Sequence, residues 1–556
     1  MRSSWLIAGL VVALWLGFAA DAIGQTVPRL RALVLMPDAA VNGTVGDGAI
    51  TRPAGGVLAD EGLAEDLRAL LGRPLDQTLI DEIHHLVTAR FVQAGHPFVD
   101  IGFPPQDVTD GVLRMVASEY RVGRVTVEGN EWFSRAMIEQ AAGLAPGETI
   151  DKARLDRRLA VLGDTPFLKV SPQFAPGEAP GTTDVVLRAT DRAPMRVSAG
   201  YRNSGNAATG WGRWETGITH GNAFGGGETL ALQSSASSDV WARRLPSGGV
   251  GGPGRFASYG VSLIRPFSDG GRLTLSGNYA RQSPALGPSL GSIGINGQVG
   301  LNVSVPVDWL GGAGEEAGVG VEIKRSNNNL AFGGQQVQHG YTLVSQAALH
   351  WQAGLPIGPA LVQFRNMLVL SPGDLGNGNS DAAFRPAGLE QSGLPGARAR
   401  YAYDRLVVTG LVPLPAEYGL VLRASLQAAS ATLLPSEQLP IAGADAVRGY
   451  QEFAVAGSQG ALLSGEVRAP RFSLLDGLIS DDNAQLHAFI EAGRAWNPVA
   501  SAAAPAARST AAIGLGAQIE LANWGAIRIE QGWQLLRAHG GGPGGGFLHA
   551  SVELRW

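Results

Sequence analysis

From Met195 to the C-terminus, about 360 residues, the side chains alternate between apolar and polar with a period of two. Val299, Leu301, Val303 and Val305 alternate with Gln298, Gly300, Asn302 and Ser304. Leu273, Leu275 and Tyr279 alternate with Thr274, Ser276 and Asn278. Leu420, Leu422, Ala424 and Leu426 oppose Val421, Arg423, Ser425 and Gln427, and Ile513, Leu515, Ala517, Ile519 and Leu521 oppose Gly514, Gly516, Gln518 and Glu520. Period two belongs to β-strands, whose successive side chains point to opposite faces. A β-sandwich also alternates, but nothing in a sandwich requires its second face to stay polar. A long run of strands with no helical break needs an architecture without open edges, and in lipid only a closed barrel satisfies every backbone group. At about 22 residues per strand and its share of loop, the segment holds about 16 antiparallel strands, within the even-numbered range of bacterial barrels.

The final stretch, Phe547 to Trp556, continues the rule. Leu548, Ala550, Val552, Leu554 and Trp556 fall on one face, and Phe547, His549, Ser551, Glu553 and Arg555 on the other. Lipid-facing and lumen-facing residues alternate in this way in a closing strand, so Leu554 and Trp556 read as its C-terminal barrel signal. Stretches rich in Gly, Ser, Pro or Ala, Leu245 to Gly254, Pro498 to Ala507 and Gly540 to Gly546, read as loops.

Composition agrees. Charged residues are 16%, glycines number 78 and the net charge is -5, which gives no reason to expect nucleic acid. The chain has no cysteine, which excludes disulfide scaffolds and thiolate metal sites. Met1 to Ala22 reads as a secretory signal peptide: Arg2, an apolar core from Trp5 to Ala20, then Ala20-Asp21-Ala22 as a small-x-small cleavage site.

Residues 25–190 differ. Tyr120 to Arg188 follows a β-α-α-β-β order. Val122, Val125 and Val127 form a strand ending at Glu128-Gly129-Asn130; Ser134 caps a helix that Gly143 ends; Asp151 caps a second. Ile150 and Leu155 have the spacing of a hydrophobic staple, and Leu155, Leu159 and Leu162 make one apolar stripe. Phe167 to Phe174 and Thr183 to Arg188 complete the sheet. The same order occurs upstream: a strand at Arg31 to Met36, helices at Ala64 to Leu71 and Leu79 to Gln93, strands at Phe98 to Gly102 and Val112 to Ala117. Two units of one order suggest a repeat. The first departs from it between Asn42 and Gly56, which is loop-like.

These units resemble POTRA domains (polypeptide-transport-associated modules). Pro104-Pro105-Gln106-Asp107-Val108, followed by Asp110-Gly111, resembles the proline-glutamine-aspartate motif in the first POTRA of two-partner secretion transporters, and this resemblance implies a partner-binding region. Arg196 to Tyr201 with Asn203-Ser204-Gly205 resembles the first barrel strand of that family, and Gly221 to Gly225 the turn between its next two strands. Val447-Arg448-Gly449-Tyr450 lies in a long connection, the third counted back from the C-terminus. Transporters of the outer-membrane protein-assembly superfamily carry a similar motif in that loop, which folds back into the lumen. Phe489-Ile490-Glu491-Ala492-Gly493 resembles the family's Phe-x-Asp-x-Gly pattern, with Glu at the acidic position. The alternation turns His487, Phe489, Glu491 and Gly493 inward and Leu486, Ala488, Ile490 and Ala492 outward. The resemblance implies that Arg448 pairs with Glu491 as a lumen lock.

The resulting expectation is a transmembrane β-barrel of about 16 antiparallel strands preceded by two small α+β POTRA domains. The segments are 1–22 (signal peptide), 25–119, 120–190, and 195–556 with an inward-folded loop around 437–458. The resemblance is to two-partner secretion transporters of the haemolysin secretion/activation type. It implies export of a large partner exoprotein, unfolded in transit, from periplasm to cell surface or medium, by a monomer in the outer membrane of a Gram-negative bacterium. The alternative is an insertion and assembly factor of the same superfamily, though such factors usually carry more than two POTRA units. A passive porin leaves residues 25–190 unexplained. A soluble hydrolase needs a catalytic cluster, and neither His84-His85, which point apart on a helix, nor Gly221 to Gly227 supplies one. No catalytic residue, cofactor or metal is expected; the partners are the exoprotein and membrane lipid. Many of these transporters also plug the barrel with an N-terminal helix. Cleavage near Ala22 would leave no room for one before the strand at Arg31.

Overall fold

The computed structural model describes residues 27–37, 50–163, 165–206, 209–239, 255–284, 290–332, 335–338, 340–385, 394, 396–475, 481–499, 506–537 and 544–556. The signal-peptide segment, residues 42–49, the loop Leu245 to Gly254 and parts of the two other expected loops lie outside them.

The first α/β module comprises β1 Ala32–Met36, β2 Ile50–Thr51, α1 Glu61–Arg68, α2 Gln77–Gln93, β3 Val99–Gly102 and β4 Val112–Glu119. Its sheet runs β2-β1-β4-β3, with β2 and β4 parallel to β1 and β3 antiparallel to β4. Leu79, Ile83, Val87 and Phe91 recur at helical spacing on α2 and bury against Leu33, Leu35, Leu113 and Met115 of the sheet. α1 begins before Ala64, its expected start, because Asp60 caps it. The Asp60 carboxylate accepts the Leu63 N–H at 2.8 Å and an ion pair from Arg90 of α2. Strand β2 was not foreseen: two residues are too few to show a period. The rings of His84 and His85 lie near-perpendicular, 5.9 Å apart between centroids.

The second module has β5 Arg121–Glu128, α3 Arg135–Ala142, α4 Lys152–Gly163, β6 Leu168–Pro176 and β7 Thr182–Asp191, with sheet order β5-β7-β6. Ser134 accepts the Met137 N–H at α3's start, and Gly143 ends α3 in the left-handed region. Asp151 accepts the Arg154 N–H at 2.8 Å to start α4, and Ile150, Leu155, Leu159 and Leu162 are buried.

The barrel strands are β8 Met195–Arg202, β9 Arg213–His220, β10 Thr229–Ser237, β11 Phe256–Pro266, β12 Arg272–Gln282, β13 Leu290–Pro306 and β14 Ala313–Phe332. They continue, past the short hairpin piece β15 Gln335–Gln338, with β16 Tyr341–Ile357, β17 Ala360–Pro372, β18 Arg400–Pro413 and β19 Gly419–Ala429. A two-residue ladder, β20 Leu439–Pro440 with β21 Ala456–Gly457, lies within the next connection. Then follow β22 Gln459–Arg468, β23 Asp482–Trp496, β24 Ala507–Leu521, β25 Gly525–Gln534 and β26 Gly546–Arg555. β15 and the ladder aside, 16 antiparallel strands close into a barrel, each paired with its neighbours. The outward face is apolar and exposed: Val299, Leu301, Val303, Val305, Leu422, Leu426, Ile513 and Leu515 all lie on it. The inward positions Ser304, Ser425, Gln427 and Gln485 are buried. Lipid favours the first set and a polar lumen the second.

The seam joins the last strand to the first, from Ser551↔Arg202 to Arg555↔Ser198. Trp556 extends it, exchanging backbone hydrogen bonds with Val197 at 2.8 and 3.0 Å. Asn203 prolongs it at the other end. Its side chain accepts the Ala550 N–H at 2.7 Å and donates to the Leu548 carbonyl, so an amide side chain stands in for one more rung.

Candidate functional site

The connection from β19 to β22 spans residues 430–458 and lies against the inner barrel wall. Its backbone folds on itself through β20 and β21, and it carries its own apolar core. Leu439, Ile441, Ala442, Val447, Tyr450 and Val455 pack together and against Leu462, Ala495 and Ala512 of the wall. Polar ties fix the lobe. Thr510 Oγ1 donates to the Ile441 carbonyl at 2.8 Å, and Gln534 Nε2 to the Gly449 carbonyl at 2.7 Å. The Tyr450 hydroxyl donates to the carbonyls of Ala511 and Leu536 and accepts the Ala511 N–H at 3.1 Å.

Arg448 projects from this lobe into the wall and is 2% exposed. Glu491 of β23 receives three of its donors: the backbone N–H at 2.7 Å, Nε at 2.9 Å and Nη2 at 2.7 Å. Nη1 donates to Glu466 of β22 at 2.9 Å and to Glu530 of β25. The guanidinium lies 3.5 Å from the centroid of the Phe489 ring, a cation–π contact in a buried setting. Phe489 itself is inward and buried, as are Glu491 and His487, whereas Leu486 and Ile490 are exposed on the outer face.

The cluster extends beyond the expected pair. Arg468 Nε donates to Glu466 at 2.8 Å, Arg528 Nη2 to Glu530 at 2.8 Å, and Ser464 Oγ to Glu491 at 3.0 Å. His487 Nε2 lies 2.9 Å from Glu530. Three guanidiniums therefore face three carboxylates. Buried charge is tolerated when each group is matched and its hydrogen-bonding positions are filled. Removing one member of such a set strands the others, at about 3–5 kcal/mol for a buried pair.

Two glycines shape the contact. Gly449 has φ +107°, a conformation only glycine adopts without strain, and an added Cβ would lie 3.2–3.3 Å from Gly532 and Ala512. At Gly493 a Cβ would lie 2.9 Å from the Ile441 Cβ, so the absent side chain lets the lobe approach β23.

Glu466, His487 and Glu530 offer ligand atoms within 4.8 Å of one another, close enough for a metal ion. Arg448 Nη1 bonds both carboxylates, so a guanidinium fills the position such an ion would take.

The Pro104 to Val108 segment lies in the first module, between β3 and β4. Gln106 exchanges both its amide groups with the backbone of Arg114, at 2.7 Å each, like one rung of an added strand. Asp107 accepts the Thr109 N–H and hydroxyl at 2.9 and 2.7 Å, an Asx turn. Val108 packs on the module core, Pro104 is partly covered and Pro105 is exposed. Gln106 thus ties the segment to β4, Val108 anchors it on the core and Asp107 closes its turn.

Comparison with known proteins follows the same lines. The family described as haemolysin secretion/activation protein ShlB/FhaC/HecB matches residues 320–519, and the ShlB-type POTRA domain matches residues 53–119. The outer membrane transporter CdiB of Dickeya dadantii (strain 3937) is 23% identical over 159 residues. That stretch covers 29% of this chain and 28% of the relative. The solved structure of CdiB from Escherichia coli superposes with a TM-score of 0.75 at 14% identity, covering 97% of this chain and 93% of that one. CdiB from Acinetobacter baumannii gives 0.65 at 17% identity, covering 95% and 90%. At these identities the structural likeness concerns the fold.

Proposed function

We propose that this chain, which belongs to the haemolysin secretion/activation family of POTRA-plus-barrel outer-membrane transporters, exports a large partner protein from the periplasm to the cell surface or medium. The observation that carries this reading is the loop 430–458, lodged on the lumen wall through Arg448 and three carboxylates. The lobe narrows the lumen, leaving beside it a cavity bounded by Gln352, Arg365, Arg423, Arg448 and Glu491. A transporter needs such a lobe between export events, held by contacts that can break.

The barrel lies in the outer membrane, and in this family the POTRA modules face the periplasm. Their sheets end on β2 and β3 in the first module and on β5 and β6 in the second. An unfolded chain can add to such an edge through backbone hydrogen bonds, with little demand on its sequence. Weak, sequence-tolerant capture suits a partner that must then be released into the lumen. The segment Pro104 to Val108 holds the turn beside edge strand β3, and its part in capture is to keep that edge in place.

The test is deletion of this chain in its host. The proteins of the medium and cell surface are then compared with those of the outer membrane. Export predicts loss of one large secreted protein while other barrels keep their levels. A general fall in outer-membrane barrels would favour an insertion factor and overturn the export reading.

A further inference from the structure

Arg448 is not the loop's only buried charge on the barrel wall. Glu437, in the helical turn Pro435–Glu437 at the loop's stem, is 1% exposed. Its Oε1 accepts Lys324 Nζ of β14 at 2.9 Å and Ser436 Oγ at 2.9 Å. Its Oε2 accepts the Tyr403 hydroxyl of β18 at 3.0 Å and Gln346 Nε2 of β16 at 3.1 Å. Its carbonyl accepts Arg405 Nη2 at 3.2 Å and Gln427 Nε2 at 3.0 Å. Five groups of four strands thus converge on one loop residue. Burial alone would raise this carboxyl, but the Lys324 charge and the hydrogen bonds outweigh it and hold the group below the usual carboxylate range. The loop therefore carries an ionised carboxylate into the wall here.

The polarity is the reverse of that at Arg448. There the loop supplies the cation and β22, β23 and β25 the anions. Here the loop supplies the anion and β14 the cation. The two points lie on different arcs of the barrel, and the wall pairs of one share no member with those of the other.

We propose that Glu437 and Lys324 form a second clasp, which holds the stem of the loop 430–458 and must release together with Arg448 for the lumen to open. This rests on the export reading above. Glu437 acts as a positioning residue, fixing where the lobe enters the barrel. Loss of the Arg448 contacts alone then leaves the lobe tethered and the lumen partly closed.

The test is ion conductance of the purified full-length protein in planar lipid bilayers, which requires no partner. Deletion of residues 439–457 defines the fully open level. Arg448→Ala is expected to fall between wild type and that level, and adding Glu437→Gln to it should raise conductance severalfold. Glu437→Gln and Lys324→Gln alone should each raise it, and the two combined should be less than additive, because either change breaks the same contact, Lys324 keeping only Glu322 of its own strand after the first. Gln nearly matches Glu in shape and sits on a loop outside the barrel's own pairing, so insertion is preserved; heat-modifiable migration on gels checks it. An Arg448→Ala conductance equal to the loop deletion, or additive effects of the two Gln changes, would overturn the second clasp. A failed export reading would instead show as normal secretion without this chain, whatever the conductance.

Discussion

The backbone N–H and the guanidinium of Arg448 both end on one carboxylate, Glu491, 43 residues further along the chain. Backbone and side chain are captured together, so the contact fixes the path of the loop as well as its charge. Glu491 is not alone, however, since Glu466 and Glu530 share the same guanidinium.

This asymmetry ranks the substitutions. Arg448→Ala leaves Glu491 with Ser464 as its remaining side-chain partner among the described contacts, while Glu466 and Glu530 keep Arg468 and Arg528. Glu491→Gln leaves Arg448 two carboxylates. At about 1.4 kcal/mol per factor of ten, the Arg448→Ala loss should shift the loop toward release roughly tenfold or more, with Glu491→Gln milder. Bilayer conductance, expected to rise, is measured alongside heat-modifiable migration, which should stay normal in both. Equal or reversed severity would contradict the shared-carboxylate geometry.

Gly449→Ala tests the backbone. Its φ of +107° and the nearness of Gly532 and Ala512 leave an alanine strained and crowded. The expected outcome is a displaced lobe, read as faster protease cleavage within 430–458 on intact cells. Unchanged cleavage would show that the loop tolerates the side chain in place.

Asn203→Ala removes two hydrogen bonds across the closing seam. Each such bond contributes about 1 kcal/mol, so the temperature at which the folded band is lost on gels should drop. Asn203→Asp keeps the acceptor toward Ala550 but not the donor, and should fall between. No shift in either variant would remove the seam role assigned to this residue.

Glu452, in the loop, accepts the Ala444 N–H at 2.8 Å. Burial raises its carboxyl above the ordinary value, despite that bond. A carboxyl raised on folding contributes stability below its unfolded value, and this is lost as pH rises through the folded one. Glu452→Gln keeps an acceptor without the charge. At neutral pH this variant should therefore conduct less than wild type in bilayers. The difference should vanish as the medium is acidified and Glu452 takes up a proton. A difference that persists in acid would contradict the assignment.

The barrel was legible in the sequence because lipid and water impose opposite demands on alternate residues, so Leu486, Ala488, Ile490 and Ala492 separate cleanly from His487, Phe489 and Glu491. The Arg448 motif and Glu491 were legible by resemblance. Glu466 and Glu530 were not singled out, although each sits at an inward position of its strand. Their meeting depends on the registers of β22 to β25 together, Ser464↔Glu491 on one side and Gly516↔Glu530 on the other, which no single strand encodes. Glu437 gave no signal at all: an acidic residue in a polar loop has no period, and only the fold reveals that it is buried. In the first module the Asp60 cap was missed because the apolar repeat of α1 starts at Leu63, after the helix has begun.

The central claim is that the loop must leave the wall for the partner to pass. The chain has no cysteine, so a designed pair is clean. A Cβ added at Gly493 would lie 2.9 Å from that of Ile441, and a small outward shift brings the pair to the roughly 3.5–4.5 Å of a disulfide. Export is measured in Ile441→Cys/Gly493→Cys cells, oxidised and then reduced. The account predicts that secretion stops when the bridge forms and resumes on reduction, with the barrel intact throughout. Secretion at an unchanged rate through the bridged protein would contradict it.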